Sequence, residues 1–117
     1  MMTTTSQIDI KRGDTWIAVF EYRDPDDGVV DLTSCDAFIQ VRRRRTRELL
    51  LTITTGDGIV IDGPAGEIRL NVSADETAKL PIGTHDYDVR VTWPDGIVRT
   101  SPNFLLRILE DVSRDTA

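Results

Sequence analysis

The most constraining feature of this chain is a period of two in its apolar residues. Between positions 86 and 93, Tyr87, Val89, Val91 and Trp93 alternate with Asp86, Asp88, Arg90 and Thr92. Successive side chains of an extended strand point to opposite faces, so this spacing predicts a strand with one buried and one polar face. The same period recurs almost throughout. Trp16, Ala18, Phe20 and Tyr22 share one face of an earlier strand, whose other face is also partly apolar through Ile17 and Val19. Cys35, Ala37, Ile39 and Val41 share a face of the next, opposite Asp36, Phe38, Gln40 and Arg42. Leu49, Leu51 and Ile53, and then Ile68, Leu70 and Val72, are expected to point inward.

Turn chemistry separates these runs. Asp24-Pro25-Asp26-Asp27-Gly28, Gly56-Asp57-Gly58, Gly63-Pro64-Ala65-Gly66 and Pro94-Asp95-Gly96 combine a proline that presets φ, aspartates that bond their own backbone, or glycines that accept positive φ. Ser73-Ala74-Asp75-Glu76 fits a capping box, predicting one short helical turn near residues 74–80 that ends before Pro81. About seven to nine short strands with turns every ~8–12 residues predict an all-β, antiparallel two-sheet sandwich over residues 7–110. A partly open barrel is the second possibility. A helical crossover before a tyrosine-bearing strand makes the expected architecture immunoglobulin-like, without the Cys, Trp, Cys signature of antibody domains. Residues 1–6 form a polar arm, expected to be flexible, and residues 111–117 a polar tail.

With 117 residues, one core is expected. The net charge of −6 opposes attraction to a phosphate backbone, so nucleic acid is not an expected partner. Cys35 is the only cysteine, which excludes an intrachain disulfide and suits folding in a reducing cytoplasm. The opening residues form no signal peptide and no stretch reaches the ~18 apolar residues of a membrane span, so no membrane partner is expected.

Candidate chemistry is sparse. His85 is the only histidine, so it alone could serve as the base of a hydrolytic site. It sits beside Asp86 at the start of an edge-like strand, with no serine elbow or glycine-rich oxyanion loop, and is expected to face solvent. A lone histidine also excludes a multi-histidine metal site. Asp24, Asp26 and Asp27 offer carboxylates to calcium, but the run stops at Gly28 without a closing glutamate and reads as a plain turn. Asp57, Asp62, Asp86, Asp88 and Asp95 show no spacing for acid and base work on a sugar. Neither catalytic residues, cofactor, metal nor small-molecule substrate are expected.

The local charge anomaly is Arg42, Arg43, Arg44, Arg45 and Arg47, five arginines at the tip of a predicted hairpin in an otherwise acidic chain. Such a tip is either a solvated guard against edge-to-edge pairing or a dock for an acidic protein. No aromatic platform or recognition helix accompanies it to suggest DNA. Trp16, Phe20, Trp93 and Phe104 fall on inward faces, favouring core packing over sugar stacking.

In motif order the chain resembles small proteins encoded with the tail and baseplate genes of tailed bacteriophages and prophages. The residues that carry the resemblance are Arg12-Gly13-Asp14-Thr15-Trp16, Asp31-Leu32-Thr33-Ser34-Cys35 followed by Gln40-Val41-Arg42, Gly58-Ile59-Val60-Ile61, Ser73-Ala74-Asp75-Glu76-Thr77 with Leu80, and Gly83 through Tyr87-Asp88-Val89 to Pro94-Asp95-Gly96. The domain is similar to the one that begins some upper baseplate proteins. The resemblance implies a non-enzymatic assembly protein, made in the bacterial host cytoplasm and built into the virion. Its partners would be other phage structural proteins or further copies of itself. Ending at Ala117, the chain departs from longer members, which puts a receptor-binding head in doubt. Capsid decoration and carbohydrate binding are the alternative functions, the latter requiring exposed aromatic rings.

Overall fold

The computed structural model describes residues 2–3 and 7–110. Most of the predicted arm and the whole of the predicted tail lie outside the described residues.

Ten strands and one helical turn are formed among the described residues: β1 (Met2–Thr3), β2 (Gln7–Lys11), β3 (Trp16–Tyr22), β4 (Asp36–Arg43), β5 (Leu49–Thr55), β6 (Gly58–Asp62), β7 (Glu67–Val72), α1 (Ala74–Thr77), β8 (Gly83–Thr92), β9 (Val98–Thr100) and β10 (Phe104–Leu109). The period of two becomes burial directly. Trp16 and Phe20 are buried on β3, Ala37, Ile39 and Val41 on β4, Ile68, Leu70 and Val72 on β7, and Tyr87, Val89 and Val91 on β8. Together with Leu106 and Ile108 of β10 and Leu32 and Leu80 from connections, they make one apolar core. Burial of this kind stabilises by roughly 25 cal/mol per Å2 of apolar surface removed from water.

The strands follow one hydrogen-bonded path, β1-β3-β7-β6-β5-β4-β8-β10-β2, with β9 attached to β8. The path folds back over its own inner face. Trp16 of β3 meets Tyr87 of β8 edge to face at 5.3 Å between ring centroids, and Phe20 of β3 stacks on Phe104 of β10 at 6.2 Å. β3 and β8 are far apart along the path, so only a folded sheet brings these rings together.

Two pairings depart from the antiparallel expectation. β2 runs parallel to β10, Gln7 to Lys11 matching Leu105 to Leu109. β5 and β6 also pair in parallel, at only two positions, Thr54 with Gly58 and Thr55 with Ile59. The turn between them uses Gly56 and Gly58 at φ of 87° and 102°, a region that glycine enters without a Cβ penalty. This corner keeps the path continuous where two separate sheets were expected.

Further corrections follow from position in the sheet. β8 is no edge: it pairs with β4, β9 and β10. His85 continues the inward series of Tyr87 and Val89 and is buried, not solvent-facing. Leu49 is 45% exposed, because a register shift between Val41 and Arg42 rotates the start of β5 away from the core. Trp93 is half-buried just beyond β8, edge to face with Tyr22 at 5.4 Å. At α1 only half of the capping box forms: Ser73 Oγ accepts from the Glu76 amide at 3.3 Å, while the Glu76 carboxylate turns to Lys79 at 3.5 Å. Thr77 Oγ1 donates to the Asp14 carbonyl at 2.7 Å, tying α1 to the turn before β3.

Candidate functional site

The arginine hairpin is built by β4, β5 and the turn between them. The Arg43 amide donates to the Glu48 carbonyl and the Arg47 amide to the Arg43 carbonyl, both at 2.9 Å. Arg47 takes a left-handed backbone, φ 63°, an uncommon conformation for a residue with a Cβ. Side chains then lock the tip. Arg42 Nη1 donates to the Arg47 carbonyl at 2.9 Å and Nη2 to Gln40 Oε1 at 3.1 Å. Arg43 Nε pairs with Glu48 Oε1 at 3.0 Å.

The tip is also tied to the neighbouring strand. Register places Arg42 opposite Asp86 and Arg43 opposite His85. The Asp86 side chain, only 9% exposed, receives Arg47 Nη1 on Oδ2 at 3.2 Å and Arg44 Nε at 3.6 Å from Oδ1. Asn103 Nδ2 donates to the same Oδ1 at 3.0 Å. Asp86 therefore lies on the predicted polar face, but the hairpin covers it. Glu48 and Asp86 answer five guanidinium groups, so the tip keeps a net positive charge. Arg45 is exposed there without an ion pair among the described residues. Arg90 lies nearby on β8, its guanidinium 5.0 Å above the Phe38 ring centroid.

His85 has a different environment. Its Nε2 lies 2.7 Å from the Pro81 carbonyl, and its Nδ1 is buried with no hydrogen-bond partner among the described residues. Asp86, the next residue, points to the opposite face of β8, so the two do not meet. The arrangement joins His85 to a backbone carbonyl and to no nucleophile.

The Asp24 to Gly28 run closes on itself. Asp24 Oδ1 accepts from the amides of Asp26 at 2.9 Å and Gly28 at 2.8 Å, which leaves this carboxylate serving the turn. Cys35 is buried at 6% exposure, and burial, with Asp31, Asp36 and Asp95 nearby, pushes its thiol pKa up. The thiolate needed for nucleophilic work is thereby disfavoured.

One surface leaves only a faint mark in the sequence. Val19 on β3, Arg69 on β7 and Val60 on β6 align across three strands by register, with Ile17 and Asn71 beside them. Ile17 is 69%, Val60 65% and Val19 47% exposed, and together they border a shallow hollow of about 500 Å3. The signal was the apolar second face of the 16–22 strand, which alternation alone assigns to water.

No family model matches the chain, and no curated protein matches it. Among solved structures it is similar to CopC from Methylosinus trichosporium OB3b, with 12% identity, a TM-score of 0.55, and 98% of this chain and 95% of that one covered. The chain has a β-sandwich fold. A fainter likeness, with 16% identity and a TM-score of 0.42, is to Drosophila OTK extracellular domains 3–5, covering 92% of this chain and 33% of that one. At such identities the likeness to CopC carries the sandwich fold alone.

Proposed function

We propose that this chain is a non-catalytic structural or assembly protein of a tailed-phage particle, in its tail, baseplate or neck, acting by binding other proteins. The reading rests on the order of motifs described above, from Arg12-Gly13-Asp14 to Pro94-Asp95-Gly96. The observation that carries a binding role is the pinned arginine hairpin. A charged tip whose backbone and side chains are already held by Asp86, Glu48 and Gln40 loses little freedom on docking, which favours affinity for an acidic protein surface.

Within this reading the architecture is an immunoglobulin-like two-sheet sandwich. β1, β3, β7 and β6 form one layer and β5, β4, β8, β9, β10 and β2 the other, joined by the two-residue β5–β6 contact. A capsid decoration protein would use the same physics at another place on the particle. Carbohydrate binding is less favoured, because Trp16 is buried and Trp93 packs edge-on against Tyr22.

Quantitative mass spectrometry of purified particles from the organism carrying the gene tests the proposal. A fixed stoichiometry with tail or baseplate proteins supports it; particles that assemble without the chain overturn it. The Arg44→Glu, Arg45→Glu variant is expected to be depleted from particles at least tenfold, the loss that about 1.4 kcal/mol of binding energy represents.

A further inference from the structure

We propose that the groove between the arginine hairpin and β8 is a socket for one carboxylate side chain, a glutamate or aspartate presented by an acidic segment of a partner protein. This site presupposes that the hairpin binds an acidic protein, as proposed above, and places the contact beneath the tip, on the face of the sheet. The β4–β8 register sets Phe38 opposite Arg90, Gln40 opposite Asp88 and Arg42 opposite Asp86. These side chains alternate with buried Ile39, Val41 and Val89, so all six share the outer face. With Arg47 from the turn and Asn103 they line a hollow of about 120 Å3. At ~30 Å3 per water that is room for about four waters, or for a carboxylate and the methylene that carries it.

The charges in the groove call for one negative group. Asp86 is already answered, by Arg47 at 3.2 Å and Asn103 at 3.0 Å. Arg42 gives its hydrogen bonds to neutral oxygens, the Arg47 carbonyl and Gln40 Oε1, which fix its guanidinium without cancelling its charge. Arg90 is held 5.0 Å above the Phe38 ring centroid and makes no ion pair among the described residues. Asp88, half-buried beside Arg90 on the same face of β8, makes none among them either. Two uncancelled guanidinium groups thus face one uncancelled carboxylate, and a single incoming carboxylate neutralises the groove. Guanidinium groups already fixed by a carbonyl and a ring lose little freedom in taking up that anion.

The same features disfavour nucleic acid. A phosphate backbone would bring a run of charges past Asp88, and like charges held close together cost binding energy. The Phe38 face that could stack a base is already covered by Arg90. Asp88 therefore acts as a filter that admits one carboxylate and opposes a denser anion.

Titration of the full chain with a hexaglutamate peptide at low ionic strength, followed by amide and guanidinium chemical shifts, tests the socket. Shifts are expected to centre on Arg42, Asp88 and Arg90. Arg90→Gln is expected to weaken binding about three- to fivefold. Asp88→Asn, which keeps the shape of the side chain and removes its charge, should tighten binding several-fold. Arg69→Gln removes the same charge as Arg90→Gln from an exposed position on β7 and should leave binding unchanged. A six-residue thymidine oligonucleotide should bind more weakly than the peptide. Absence of peptide binding, equal losses in Arg90→Gln and Arg69→Gln, no gain in Asp88→Asn, or tighter binding of the oligonucleotide would each overturn the socket. Binding lost in the Arg44→Glu, Arg45→Glu variant but unchanged in Arg90→Gln would remove the groove and leave the hairpin's role standing. The titration needs no particles, so failure of the virion reading leaves its outcome intact.

Discussion

Trp16 and Tyr87 meet edge to face with ring planes at 82°, and both rings carry a buried polar atom, Trp16 Nε1 and Tyr87 OH, with no hydrogen-bond partner among the described residues. The contact holds the two halves of the folded sheet together. Its apolar surface stabilises, while its polar atoms cost the desolvation that a buried hydroxyl or indole N–H incurs.

Tyr87→Phe should therefore be neutral or stabilising by up to about 1 kcal/mol, whereas Tyr87→Ala should cost about 3–5 kcal/mol through the cavity it leaves. Chemical denaturation of the three proteins gives both differences.

The same hydroxyl has a pH signature. Burial raises the Tyr87 phenol pKa above its ordinary value of 10.0. A folded pKa above the unfolded one means stability fully present below pH ~10 and lost as pH rises beyond it, because the unfolded chain releases the proton more readily. Unfolding free energies at pH 8 and pH 11 should show a fall in the wild type that is smaller in Tyr87→Phe.

Cys35 should resist alkylation in the folded protein. Burial first, then the nearby carboxylates of Asp31, Asp36 and Asp95, hold the thiol pKa above its ordinary value of 9.0. Mass-resolved labelling at pH 8 should proceed slowly in native conditions and rapidly in denaturant; fast native labelling would contradict the burial described here.

The hairpin anchor can be measured by a double-mutant cycle. Arg47 is 64% exposed on its side chain, so solvent screens its attraction to Asp86. Asp86→Ala with Arg47→Ala should give a coupling energy of about 0.2–1 kcal/mol. The larger effect of Asp86→Ala should be mobility of residues 44–47, seen as faster amide exchange.

Gly66 offers a backbone test. It has φ 64°, and a Cβ built on it would come within 2.7 Å of the Val30 carbonyl oxygen. Gly66→Ala is expected to destabilise by about 1–3 kcal/mol, measured by thermal unfolding, since both the conformation and the space oppose a methyl group.

Where alternation met a strand paired on both sides, the sequence was legible: the 35–41 and 87–91 runs become the buried faces of β4 and β8. The settings of His85 and Leu49 escape strand alternation for one reason. Their environment depends on the bulge at Val41 and Arg42 and on which strands flank β8, and these pairings are set between residues distant in sequence. The arginines were visible as a cluster, but their partner Asp86 was not, because only the β4–β8 register brings position 86 to the hairpin. Ile17, Val19 and Val60 were individually readable as outward-facing; their alignment through Arg69 required the β3–β7–β6 ladder.

The parallel match of β2 with β10 has a mechanical consequence. Gln7 begins its strand at one end of the ribbon and Leu109 finishes its own at the other. Tension applied between these two residues slides the strands past each other, so all five matched positions share the load at once. A domain threaded this way resists stretching between Gln7 and Leu109 as a lap joint does.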